Sequence, residues 1–175
     1  MIITNPVSEF IYFLLKRLRD KSPSLRYIGA DMGQMENYPS GGKPPISFPG
    51  VLFDVDDTNY GELGQLTQLG ESVLIIRVCQ PCYSGIANSI APDDVNIKAL
   101  DYLETEQEVY LALQGWSCGA ASTMVRISSK TENRNDEYRV KVMRFSFGIE
   151  DNTANRPMSV SLPDIELYGP FITKP

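Results

Sequence analysis

Three groups of residues in this 175-residue chain have the types and spacing of reactive centres. Phe53-Asp54-Val55-Asp56-Asp57-Thr58 places two carboxylates one residue apart, with a threonine two residues beyond the second. In a phosphoryl-transfer site the first would attack phosphorus, while the second handled the proton beside magnesium. Gly115-Trp116-Ser117-Cys118-Gly119 has the glycine spacing of a strained turn that exposes a serine nucleophile. Cys79-Gln80-Pro81-Cys82 has the spacing of a dithiol redox pair, which needs its first thiolate at a helix N-terminus.

Composition bears on all three. The chain has no histidine, so the serine lacks the usual base for its proton, and the cysteines lack the commonest fellow zinc ligand. Cys79, Cys82 and Cys118 cannot all pair within one chain, and a reducing compartment suits them best. The aspartate motif resembles that of haloacid-dehalogenase-like phosphotransferases, in which it follows a strand of a parallel sheet and leads into a helix. Here a turn and another strand-like run follow it, which favours an acidic hairpin turn. The serine motif follows a helical pattern and precedes a strand, the reverse of a nucleophile elbow, and reads as a glycine-rich loop. No glycine pattern for a phosphate loop or a dinucleotide is present. The residues therefore imply no catalytic, cofactor or metal site. A phosphotransferase using Asp54 and Asp56 is the enzymatic alternative, and a small monomeric binding module is another.

The elements that must carry these residues are legible as patterns. Asn5 and Pro6 start a helix, and Val7, Phe10, Ile11, Leu14 and Leu18 recur at helical spacing until Pro23. Lys16, Arg17, Arg19 and Lys21 complement the negative end of its dipole. Residues 27–35 read as a strand, 38–50 as a loop rich in proline and glycine, and 51–55 as a short strand. After a turn at Asn59-Tyr60-Gly61, residues 72–78 form the most strand-like run, expected to pair with 51–55 as a hairpin. A second helix is expected from Asp93 to Gly115, with Ile97, Leu100, Leu103, Tyr110 and Leu111 along it. Residues 123–128 and 138–149 then form a second hairpin. In the last strand Tyr138, Val140 and Val142 share one parity but Phe145, Phe147 and Ile149 the other, which predicts a bulge near Arg144.

The expected fold is α+β: a mostly antiparallel sheet of about four to five strands, built from two hairpins and packed with two helices in the order α-β-β-β-α-β-β. One domain, residues 1–150, is followed by an extended C-terminal arm, 151–175, too apolar for a simple disordered tail. With 22 acidic and 16 basic residues the net charge is −6, which argues against a general affinity for nucleic acid. The longest apolar run, 10–15, is too short to span a bilayer, and the chain is expected to be soluble and unexported.

This order resembles the tail-terminator and minor tail (tail-completion) proteins of long-tailed bacteriophages, of the prophage-encoded type. The resemblance rests on Tyr27-Ile28-Gly29-Ala30-Asp31-Met32-Gly33-Gln34-Met35-Glu36 followed by Phe48-Pro49-Gly50-Val51-Leu52-Phe53, and on Gly64-Gln65 leading to 73–78. It rests further on Leu111-Ala112-Leu113-Gln114-Gly115-Trp116, then Met124-Val125-Arg126 and the strand 138–147. Together these cover roughly residues 5–150. The resemblance implies a non-enzymatic structural protein that forms a ring, commonly a hexamer. Such a ring terminates or completes the tail tube and joins it to the head connector. Its partners would be copies of itself, the tail-tube protein and the head-tail connector protein, in the host cytoplasm during assembly and in the virion tail afterwards. A closed ring needs head-to-tail contacts, for which Leu162, Ile165, Leu167 and Phe171 of the arm are the candidate contact residues. Whether that arm packs on its own core or on a neighbouring subunit stays open in the sequence.

Overall fold

In a computed structural model of the chain, which describes residues 5–64, 66–81, 90, 92–119 and 121–155, helices and a six-stranded sheet pack as an α+β fold. The first helix, α1 (Pro6–Lys21), begins where the sequence predicts. The Asn5 side-chain oxygen accepts from the Val7 N–H at 2.8 Å and the Ser8 N–H at 3.3 Å, and proline occupies the first turn. Phe10, Leu14 and Leu18, each about one turn apart, are buried against the sheet.

Strand β1 (Tyr27–Ala30) is shorter than the predicted 27–35. The Asp31 carboxylate accepts from the Gly33 N–H at 3.0 Å, and Gly33 takes φ +79°, so the chain turns out of the sheet. It returns as β2 (Gly50–Val55), which runs parallel to β1. Next come β3 (Asn59–Gly64) and the 15-residue β4 (Thr67–Pro81). The predicted pairing of 51–55 with 72–78 is present, with Val51 opposite Val78 and Val55 opposite Leu74. The predicted turn at residues 59–61 is instead strand: β3 pairs antiparallel with the start of β4, and the reversal falls beyond it, with Leu66 at φ +61°. This added strand raises the count from the five of the predicted order to six.

The predicted second helix is two, α2 (Asp93–Ala99) and α3 (Asp101–Leu113). At Leu100 the bonds tighten to a three-residue span, Leu100 N–H to the Ile97 carbonyl and Leu103 N–H to the Leu100 carbonyl, and the helix restarts. Strands β5 (Val125–Thr131) and β6 (Tyr138–Asp151) form the predicted second hairpin. A short 3-10 turn, Thr153–Asn155, follows. The sheet order is β1-β2-β4-β6-β5, with β3 end to end with β2 along the same side of β4.

The parity change in β6 has a different cause from the one the sequence suggested. β4 and β6 stay in register without a break from Gln68 opposite Asp151 to Pro81 opposite Tyr138. The sheet is covered on both faces instead. On one, Val51, Phe53, Leu74, Ile76, Val78, Met143, Phe145, Phe147 and Ile149 meet α1 and α3. On the other, Leu52, Cys79 and Val140 meet Met35 from the 31–49 loop, flanked by Phe48 and Tyr138, whose rings stack at 4.9 Å. Residues of either parity in β6 thus have a core to enter. The irregularity lies across the ladder, in β5 between Arg126 and Ser128.

Candidate functional site

Asp54 and Asp56 sit at the end of β2, a strand that is antiparallel to β4 and runs on into β3 rather than into a helix. The Asp54 carboxylate accepts from the Val55 N–H at 2.9 Å. The Asp56 carboxylate accepts from the Asp57 N–H at 3.0 Å and is paired with the Arg144 guanidinium across the sheet. The Asp57 N–H and Arg144 together hold the Asp56 carboxyl below its ordinary range. Asp93 and Asp94 occupy the first turn of α2, where the helix dipole favours them. Among the described residues, no group of three or more acidic or cysteine side chains is placed to hold a metal ion.

Ser117 lies in the loop between α3 and β5. Gly115 (φ +75°) and Gly119 (φ +43°) turn that loop, and the Gly115 and Trp116 N–H groups bond to the Met124 and Leu113 carbonyls. The glycine spacing therefore serves a helix-to-strand turn. Cys79 is buried in β4 under Met35, and burial pushes its thiol up to about 12. Cys118, half-buried, is pushed up to about 11, again by burial first and then by the charge of Glu9. Both shifts oppose thiolate chemistry. Cys82 lies outside the described residues.

Sequence reasoning missed an ionic clamp over the second core. Arg77, on the same face of β4 as Cys79, pairs with Asp31 at 2.7 Å, with Glu36, and with Glu132 at 3.1 Å. Arg134, from the turn between β5 and β6, bonds to Asp136, Glu132 and the Met35 carbonyl. Burial opposes the charge on Arg77, but the three carboxylates outweigh it and its pKa is raised. Loop 31–49 and the 132–137 turn are thereby fastened to the sheet. The pairs join residues distant in sequence, so no local pattern announces them.

Exposed strand edges are the other feature. Every residue of β3 is exposed, and so are Val125 through Lys130 along β5. Among the described residues each of these strands is paired on one side alone, β3 with β4 and β5 with β6. Large apolar side chains lie on both: Tyr60 and Leu63 are 45% and 60% exposed, Val125 and Ile127 49% and 54%. Asn59-Tyr60-Gly61 made the start of β3 read as a turn, and its ladder with β4 was the missing information. The arm residues Leu162, Ile165, Leu167 and Phe171 lie outside the described residues.

Among the described residues no helix is long and apolar enough to cross a membrane. No family model matches the chain, and no curated protein matches it either.

Proposed function

We propose that the chain is a non-enzymatic structural subunit of a bacteriophage or prophage tail. Copies of it form a ring, commonly of six, that terminates or completes the tail tube and joins it to the head connector. The observation that carries this reading is the open sheet: among the described residues β3 and β5 each present an unpaired strand edge with exposed apolar side chains, hardware for joining subunits rather than for holding a small substrate. The resemblance in residues 5–150 to tail-terminator and tail-completion proteins supplies the identity of the assembly. The engagement of Asp56 with Arg144, and the raised thiols of Cys79 and Cys118, favour a structural role over a catalytic one.

The arm residues Leu162, Ile165, Leu167 and Phe171 belong to the same proposal as subunit contacts. The partners are the chain itself, the tail-tube protein and the head connector, met in the host cytoplasm and retained in the virion tail.

Light scattering after size-exclusion chromatography, over a concentration series, tests the ring. The expected mass is a small fixed multiple of the 19.5 kDa chain, six-fold for a hexamer. A monomer at every concentration would contradict it. Magnesium-dependent phosphate release that Asp54→Asn abolishes would instead assign the chain to the phosphotransferases.

A further inference from the structure

We propose that copies of this chain join edge to edge, β3 of one copy pairing with β5 of the next, so that the sheet continues from subunit to subunit. This rests on the ring reading and specifies its interface.

The two edges lie on opposite sides of the sheet, in the local order β3-β4-β6-β5. A contact between them is therefore head-to-tail, and each subunit keeps one edge to give and one to receive, which is the condition for a ring. The direction is also right. β3, β4, β6 and β5 alternate in direction, so β3 and β5 run oppositely. Rotation about a ring axis preserves strand direction along that axis, and β3 meets the neighbouring β5 antiparallel, the more stable pairing. The lengths match, six residues in β3 against seven in β5.

The charges are complementary. From residue 54 to residue 76 the chain has acidic side chains and no lysine or arginine, and Asp57 and Glu62 are exposed along the β3 side. β5 carries Arg126 and Lys130 and no acidic residue. The Arg126 guanidinium lies 3.8 Å above the Tyr110 ring, which leaves Lys130 as the outlying charge. A lysine on an edge strand repels most would-be partners, and an acidic edge is the partner it admits. Tyr60 and Leu63 on one side, and Val125 and Ile127 on the other, supply apolar surface for the same contact.

The stagger is consistent with closure. β3 sits opposite residues 67–71 of β4, whereas β5, read across β6, sits level with residues 73–78. Centre to centre that offset is about six to seven residues, or ~20–23 Å along the strands, against ~19 Å for the four strand spacings of one subunit; at seven, Glu62 faces Ser128 and lies diagonal to Lys130 on the same face of the joined sheet. A sheet joined in this way closes without climbing when its strands tilt by roughly 45°, the upper end of the tilt found in closed sheets.

A charge exchange tests the pairing. Glu62→Lys and Lys130→Glu alter exposed side chains, and unchanged circular dichroism and melting would verify the fold of each variant. Mass is then measured on the full chain at a concentration where the unaltered protein is ringed. Each single reversal is expected to lose the ring, and the double variant, with the pair exchanged, to regain it. Rings that persist in both single variants would overturn the edge pairing while leaving the ring reading intact. So would a double variant no better than the singles, or rings lost only on removing residues 156–175, which would place the contact in the arm. An unaltered chain that never assembles overturns both readings.

Discussion

At the residue scale, burial decides what a side chain can do more firmly than the motif it belongs to. Cys79 begins a C-x-x-C sequence, yet it is buried in a cluster with Met35, Leu52 and Val140, where a thiolate would have no solvent. Its thiol is raised from an ordinary 9.0 to about 12. The unfolded chain therefore releases this proton first as pH rises, and the stability it contributes is full below pH 9.0 and declines between there and about pH 12. At neutral pH Cys79 is expected to resist alkylation by iodoacetamide in the folded protein and to react on denaturation, as read by peptide mass mapping. Rapid labelling of Cys79 in the folded state would show that the second core is not closed. The carboxylate pair shows the same limit of motif reading. Asp54 and Asp56 were legible by spacing, but the Arg144 partner of Asp56 stands on β6 and was invisible until the strands were paired.

At the element scale, what could be read depended on whether the information was local. The start of α1 and its buried face follow from Asn5, Pro6 and the spacing of Phe10, Leu14 and Leu18, all within a few turns. The strand cores of β4 and β6 follow equally from their apolar runs. β3 did not, because Gly61 and Gly64 weaken a strand pattern and only the facing residues 67–71 of β4 make it one. The second core was half legible. The parity change at Val140 to Phe145 was visible, but its explanation required knowing that the 31–49 loop covers the other face. That cover depends on Arg77, whose side chain is 12% exposed among Asp31, Glu36 and Glu132. Arg77→Met would leave Asp31 without its cation and Glu36 and Glu132 with Arg134 alone. It is expected to destabilise the fold by about 3 kcal/mol, the scale for breaking a partly buried ion network. Urea unfolding measures this, and a loss below about 1 kcal/mol would mean the network behaves as a solvent-screened surface cluster.

At the scale of the whole molecule, a sheet with helices on one face and a clamped loop on much of the other has its faces largely occupied, while among the described residues the outer edges of β3 and β5 stay open to pairing. The α+β class and the two hairpins with their flanking helices followed from the sequence. The free edges did not, since they are a property of strand order rather than of any strand. Ring formation and tube termination are the consequences proposed for those edges. The most direct measurement of that proposal adds the purified chain to the tail-tube protein it is proposed to cap, during polymerisation, with tube lengths and gold-labelled chain scored by electron microscopy. The account predicts that tubes stop growing soon after addition and carry the label at one end. Tubes that elongate as they do without the chain, with no label at either end, would contradict it.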